Sequence, residues 1–316
     1  MMGPGDDLDT LSKNGDHLGV LRYIRAHEIR DPEKVIRHGQ VLLKNGIKDE
    51  AAWSSALEQI CLAAIDINNH MLAERCLDEL KQKSTVGSEK NKDGSLVKDS
   101  DRYRRLLGRC LEAADDYEGA MVLYEKMLKK NPSNLIALQR KYCILRSQQS
   151  LKSDAAQVPM NDVVDALNDY LGQQLSDVSG WYEMSRLRLS LADFKGAAYA
   201  LEQVVLGSPL DAEIHRELGE VYATIGGLNT VYARKHMAQA LELDPTNIRA
   251  QFGLVCVANQ YLDESNAGSK KNIDEHERLV ANELVKYGAE RVLRSYKGSP
   301  MFATVKRVMD DFTDNL

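Results

Sequence analysis

The apolar positions of the chain repeat at a fixed distance. Residues 116–134 read DYEGAMVLYEKMLKKNPSN, and the same pattern returns at residues 193–211 as DFKGAAYALEQVVLGSPLD. Seven places agree in kind: Asp116 with Asp193, Tyr117 with Phe194, Gly119 with Gly196, Ala120 with Ala197, Tyr124 with Leu201, Met127 with Val204 and Pro132 with Pro209. In a helix, residues three and four apart share a face, so Ala120, Tyr124 and Met127 form one apolar stripe that must be buried against another helix. A third copy, NTVYARKHMAQALELDPTN at 229–247, keeps Ala233, Met237, Ala240 and Pro245 in register. Upstream of each copy lies a second apolar segment, YRRLLGRCLEA, WYEMSRLRLSL and IHRELGEVYAT, with a small residue at Gly108, Ser185 and Gly219 where two backbones would cross. The pattern predicts pairs of antiparallel helices, with proline starting the next helix after a short turn.

Such a unit is about 34 residues long in tetratricopeptide arrays, and it buries its apolar face only by stacking on its neighbours. Counting from residue 101 puts Gly108 at position 8, Ala120 at 20, Tyr124 at 24 and Pro132 at 32. Counting from 178 puts Trp181 at 4, Ser185 at 8, Ala197 at 20 and Pro209 at 32. Gly253 follows Gly219 at the interval of one such unit. The distance from the copy at 116 to the copy at 193 is then two units plus a short excess. That excess falls in the polar stretch SLKSDAAQVP, between helices predicted at 135–149 and 161–174. The paired glycines of IGGLN at 225–229 widen one turn. The fold expected is an all-α, right-handed tetratricopeptide solenoid with capping helices at both ends.

The remaining boundaries follow from composition. Residues 1–15 are expected to be disordered. Residues 16–82 read as a capping helix pair, its second helix opened by Pro32 and closed by Gly46, and a degenerate repeat with Trp53, Ala73 and Leu77 at repeat-like places. Residues 83–100 are too polar and glycine-rich to pack and predict a flexible loop. The repeats span 101–262 with a loop insertion at 150–160, a linker covers 263–273, and two further helices fill 274–316.

With 43% hydrophobic and 28% charged residues the chain has the make-up of a folded protein with ample core. No apolar run approaches the roughly 20 residues of a membrane-spanning helix, and the acidic start MMGPGDDLDTLSKNG lacks the apolar stretch of a secretory signal. A cytosolic protein is expected. The five cysteines form no C-x-x-C pair, and the only Asn-x-Ser/Thr sequence has proline in its middle, which predicts reduced, unglycosylated helices. The net charge of −6 argues against a nucleic-acid partner. EKNKDGSLVKDS at 89–100 lacks both the first aspartate and the closing glutamate of a calcium loop, and HEIRD lacks the second histidine of a zinc helix. With no phosphate-binding loop and no nucleophile elbow, neither a metal, a cofactor nor a catalytic site is expected.

A binding scaffold presents its first helices to a partner, through positions 2, 5, 9 and 12 of each unit. Of the residues at those positions, which also include Glu112, Glu213 and Glu220, Arg102, Arg105, Arg109, Gln139, Arg146, Tyr182, Arg186 and Arg216 are the expected groove. Six arginines on an acidic protein are a local bias, and guanidinium forks suit carboxylates and aromatic faces, so an acidic or extended peptide segment is the expected occupant.

Several stretches give a closer resemblance: IRHGQVLLKNG (36–46), LEQICLAAIDINNHMLAERCLDELK (57–81), YEGAMVLYEKMLKKNPSNLIALQRK (117–141), the long segment at 166–209, and IGGLNTVYARKHMAQALELDPTNIRAQFGL (225–254). Together they resemble the family of subunit 2 of the endoplasmic reticulum membrane protein complex, the GGLN insertion before ARKHMAQAL being the most specific part. The resemblance implies a non-catalytic scaffold of a membrane-protein insertase, peripheral on the cytoplasmic side of the endoplasmic reticulum. It would contact the transmembrane subunits and a peripheral cytosolic subunit. The alternative is a soluble co-chaperone adaptor that clamps a chaperone tail. Such clamps place asparagine just after position 8, where this chain has Arg109, Cys143, Arg186, Glu220 and Leu254.

Overall fold

The computed structural model describes residues 4–85, 101–150, 158–266 and 275–314, and every regular element among them is helical. The chain forms two compact units, Met1–Gln157 and Val158–Leu316. The first holds α1 Pro4–Lys13, α2 His17–Ala26, α3 Pro32–Asn45, α4 Glu50–Asp66, α5 His70–Thr85, α6 Asp101–Ala113, α7 Tyr117–Lys130 and α8 Leu135–Ser150. The second holds α9 Met160–Gln173, α10 Val178–Ser190, α11 Phe194–Gly207, α12 Ala212–Ile225, α13 Thr230–Leu243, α14 Ile248–Asn266, α15 Glu275–Ser295 and α16 Phe302–Thr313. A 3₁₀ turn at Gly227–Asn229 lies between α12 and α13. Within each unit, helices consecutive in sequence pack as antiparallel pairs, the tetratricopeptide arrangement.

The recurring Asp-x-x-Gly has a local cause. Asp116 and Asp193 cap α7 and α11, accepting from the amides of Gly119 at 2.9 Å and Gly196 at 3.0 Å. The carboxylate folds so closely over the glycine that a Cβ on Gly119 would lie 2.4 Å from Asp116 Oδ2. The residue just before each cap turns the chain in the left-handed region, at φ 59° for Asp115 and 57° for Ala192. That region costs an L-residue with a Cβ roughly 1–2 kcal/mol. Ala192→Gly should therefore raise stability by about 1 kcal/mol after glycine's larger unfolded-state entropy is deducted, read as a higher urea midpoint with an unchanged slope.

The prolines differ from expectation. Pro132, Pro209 and Pro245 lie two residues before the caps, and Asn134, Asp211 and Asn247 open the next helices instead. Proline ends the preceding helix by withholding an N–H, and the side chain two residues on takes up the orphan amides of the next one. The small residues sit at helix crossings as expected. A Cβ on Gly108 would lie 2.5 Å from the Tyr124 hydroxyl, and one on Gly253 would lie 2.7 Å from Met237 Sδ.

In the first unit Val20, Leu21, Ile24, Leu57, Ile60 and Leu106 anchor one core cluster, and Tyr124, Met127, Ala137 and Ile144 a second. Within residues 1–15 the described part carries α1. α1 forms because Leu8 is buried and Leu11, on the same face, packs on the first cluster. The loop expected at 83–100 begins later, since α5 continues to Thr85; residues 86–100 lie outside the described residues, as do 151–157 of the insertion. In the second unit α14 runs on to Asn266, past the boundary expected at 262, because Tyr261, Leu262 and Ser265 are buried; residues 267–274 lie outside the described part. α15 and α16 close this unit through Ala281, Val285, Val292, Val305 and Met309. Buried Arg234 of α13 stacks over Tyr261 at 5.0 Å and pairs with Glu277, tying α15 to the repeats.

Two histidine pairs recur with the same spacing along the chain. His17 and His38 bring their Nδ1 atoms to 2.8 Å across α2 and α3, and His215 and His236 bring theirs to 3.0 Å across α12 and α13. Burial first, then the facing His17, with Arg37 and Lys34 adding to it, lowers His38. Burial and the facing His215 lower His236 against the opposing pull of Glu202. A histidine lowered in the folded state binds its proton more readily when unfolded. The stability it contributes is present above the ordinary value of 6.5 and falls away as pH drops through the folded value. Urea midpoints should decline from about pH 7.5 to about pH 5, and H38Q/H236Q should flatten that slope.

Candidate partner-binding surface

α6 carries Arg102, Arg105 and Arg109 three and four residues apart, so all three share one face. Arg105 and Arg109 meet Glu58 and Leu62 of α4 and Ile136, Gln139 and Arg140 of α8 around a cavity of about 560 Å³. A second cavity of about 360 Å³ shares Glu58 and Leu62 and extends to Arg102 and to Arg25 of α2. Leu62 and Ile136 are each 36% exposed and give this strip an apolar floor.

The charges on the strip do not balance. Glu58 serves both Arg102, at 3.2 Å, and Arg105. Glu112 receives Arg140 Nε at 2.9 Å and the Tyr124 hydroxyl at 2.6 Å. Arg25 donates to the Ser55 carbonyl at 3.1 Å and to Gln59 Oε1 at 2.9 Å. Among the described residues neither Arg25 nor Arg109 has a carboxylate within ion-pair distance. Five guanidiniums therefore face two carboxylates. Burial, then Arg22 and Arg102, lowers the Arg25 guanidinium from its ordinary value; burial and then Arg109 do the same to Arg140. In both the largest cause is burial, and the neighbouring guanidiniums add to it.

In the second unit the expected site residues are spent internally. Arg216 is 5% exposed. Its Nε donates to Glu213 at 2.8 Å, its Nη1 to Glu220 at 2.7 Å and its Nη2 to Glu217 at 3.5 Å. Arg249 holds Glu220 with both arms of its fork, at 2.6 and 2.8 Å. Tyr182 donates to Glu217 at 3.3 Å, and Arg186 lies 4.0 Å from the same carboxylate. Around the 280 Å³ cavity lined by Arg186, Arg216, Glu217, Glu220 and Arg249, each arginine lies within ion-pair distance of a glutamate. Arg146 of α8 donates to Gln149 at 2.8 Å and lines none of these cavities.

The structure thus gathers Arg102, Arg105, Arg109 and Gln139 on one cationic strip and leaves Arg146, Tyr182, Arg186 and Arg216 off it. It adds Arg25 and Arg140. Arg140 could have been found, one place after Gln139 on a helix of known register. Arg25 could not, because the N-terminal helices carry no repeat register to count from.

A family model described as the EMC2 TPR-like repeat domain matches residues 96–228. ER membrane protein complex subunit 2-A of Xenopus laevis is 30% identical over 253 residues, covering 79% of this chain and 77% of the relative. The chain belongs to the ER membrane protein complex subunit 2 family. The subunit 2 of Dictyostelium discoideum is 28% identical over 252 residues, 75% of this chain and 71% of its own. Of solved structures, YrrB, a TPR protein with an unusual peptide-binding site, aligns at 16% identity over 66% of this chain and 92% of its own, with a TM-score of 0.42. As a member of the subunit 2 family the chain has, among its described residues, no helix long and apolar enough to cross a membrane.

Proposed function

We propose that this chain is a non-catalytic scaffold subunit of an ER membrane protein complex, held at the cytoplasmic side of the membrane by its partners. It organises the cytosolic parts of transmembrane subunits for the insertion of transmembrane segments. The observation that carries this reading is family membership over 253 residues at 30% identity. The cationic strip supports it, because an apolar floor flanked by uncompensated guanidiniums suits an extended segment bearing carboxylates.

The test is to tag the chain, solubilise membranes in mild detergent, purify, and identify what accompanies it. Several transmembrane proteins in near-equal amounts are expected. Heat-shock chaperones recovered from the soluble fraction alone would overturn the reading in favour of a co-chaperone adaptor. The strip has its own test. R25E/R109E should cut recovery of at least one partner by about tenfold or more, the scale of a binding hot spot. The melting temperature should hold, because neither arginine has an internal ion pair to lose.

A further inference from the structure

Beside the cationic strip lie two thiols that line neither of its cavities. Cys61 of α4 and Cys110 of α6 bring their sulfurs to 3.8 Å although 49 residues separate them. Cys61 is wholly buried, and its sulfur lies 3.7 Å from the Ala73 carbonyl of α5. Cys110 is partly exposed. The two differ as an attacking and a resolving cysteine must: one sulfur reachable from solvent, the other shielded and in contact with the first. We infer that Cys61 and Cys110 are a peroxide-oxidisable dithiol whose disulfide staples α4 to α6.

The surroundings favour this order of events. Contact with the Cys61 sulfur, with the Arg109 guanidinium assisting, holds the Cys110 thiol below its ordinary value against burial and the Glu74 carboxylate. Contact with Cys110, then burial, pushes Cys61 far up, so it waits as the neutral thiol. Cys76, also buried, is pushed up to about 12 by burial first and Glu79 second, and has no sulfur contact with either. The Cys110 thiolate attacks one peroxide oxygen: the S–O bond forms, the O–O bond breaks, and hydroxide leaves and takes a proton as water. The Cys61 sulfur then attacks the Cys110 sulfenic acid. The S–S bond forms, the S–O bond breaks, and the hydroxyl departs as water with the Cys61 proton. Two thiols and one peroxide become a disulfide and two waters, the sulfurs giving up the two electrons that the O–O bond accepts.

α4 supplies Glu58 and Leu62 to the strip, and α6 supplies Arg105 and Arg109. A covalent tie between these helices would fix the spacing of the two walls. This consequence alone rests on the proposed scaffold role; the chemistry does not.

The test uses the full chain, reduced, then given stoichiometric hydrogen peroxide, denatured in N-ethylmaleimide and mapped by mass spectrometry. The expected product is one cross-linked peptide pair carrying Cys61 and Cys110, two hydrogens lighter than its reduced parts and reversed by dithiothreitol. C110S should lose the cross-link. C61S should leave a Cys110 sulfenic acid that dimedone captures, and C76S should cross-link as before. Cys61 and Cys110 both found alkylated while peroxide is consumed at exposed Cys256, or a cross-link from Cys61 to Cys76, would overturn the inference. The wild-type map decides the matter even if a variant fails to fold. Because it needs no partner, it stands apart from the detergent co-purification, where partner recovery from reduced and oxidised chains can be compared separately.

Discussion

Arg216→Met should destabilise the chain by about 3 kcal/mol, the lower end of the range for removing one member of a buried ionic cluster. Methionine keeps most of the volume, so the loss is one of charge rather than packing. Arg216 is buried against α12's own glutamates, and its removal leaves Glu213, Glu217 and Glu220 facing one another with only the exposed Arg186 and Arg249 to answer them. Glu213 and Glu220 are partly exposed, and solvent screening of their repulsion keeps the cost at the low end. The variant should carry a pH signature. The Arg216 hydrogen bond is the largest cause of the lowered Glu213 carboxyl. A carboxyl depressed in the folded state contributes stability above its ordinary value of 4.5, and that contribution is lost as pH falls through the folded value. The gap between wild type and R216M should therefore narrow as pH drops below 4.5. Urea titrations at a series of pH values check both magnitude and sign; a gap independent of pH would mean that the effect is packing.

Tyr124→Ala should cost about 4 kcal/mol, within the range for emptying an aromatic site in a core. Tyr124 is wholly inaccessible and is the largest such side chain among the described residues. Its ring fills the space that Gly108 leaves open at the crossing of α6 and α7. Its hydroxyl donates to Glu112, the carboxylate that also holds Arg140 on the cationic strip. Two further variants separate these roles. Tyr124→Phe keeps the ring and loses the hydrogen bond, for about 1.5–3 kcal/mol as a bond to a charged acceptor. Gly108→Val places new atoms against the ring and should approach the cost of Tyr124→Ala, because the clash would be with a buried aromatic that cannot swing aside. Denaturant midpoints of the three variants, ranked in that way, would confirm that one glycine and one tyrosine set this crossing. If Tyr124→Phe cost as much as Tyr124→Ala, the hydrogen bond to Glu112 would be the dominant element.

The helices were legible in the sequence because their signals are local. Ala120, Tyr124 and Met127 mark one face by spacing alone, and Asp116 and Asp193 carry their own capping hydrogen bonds three residues on. Register followed from counting, so Gly108, Ser185, Gly219 and Gly253 fell at crossings where only small residues fit. What failed at this level failed where a neighbour in space decides. α1 forms on the strength of Leu8 and Leu11 packing into a core contributed mostly by α2 to α5. The prolines stand two places before the asparagine or aspartate that caps each following helix, so proline alone does not mark where that helix starts.

By itself the sequence determined an all-α repeat protein and the pairing of its helices, with arginines along the faces of several first helices, since the helical period and the repeat period are both properties of one strand of chain. Only the tertiary structure decided which arginines on those faces are available. Arg105 and Arg216 look alike at position 5 of their repeats, yet Arg105 shares Glu58 of another helix pair on a strip with charge to spare, while Arg216 is enclosed by three glutamates. Net charge at a surface is a sum over side chains brought together from distant parts of the chain. It is settled by distances within a few ångströms, and those exist only once the helices have stacked.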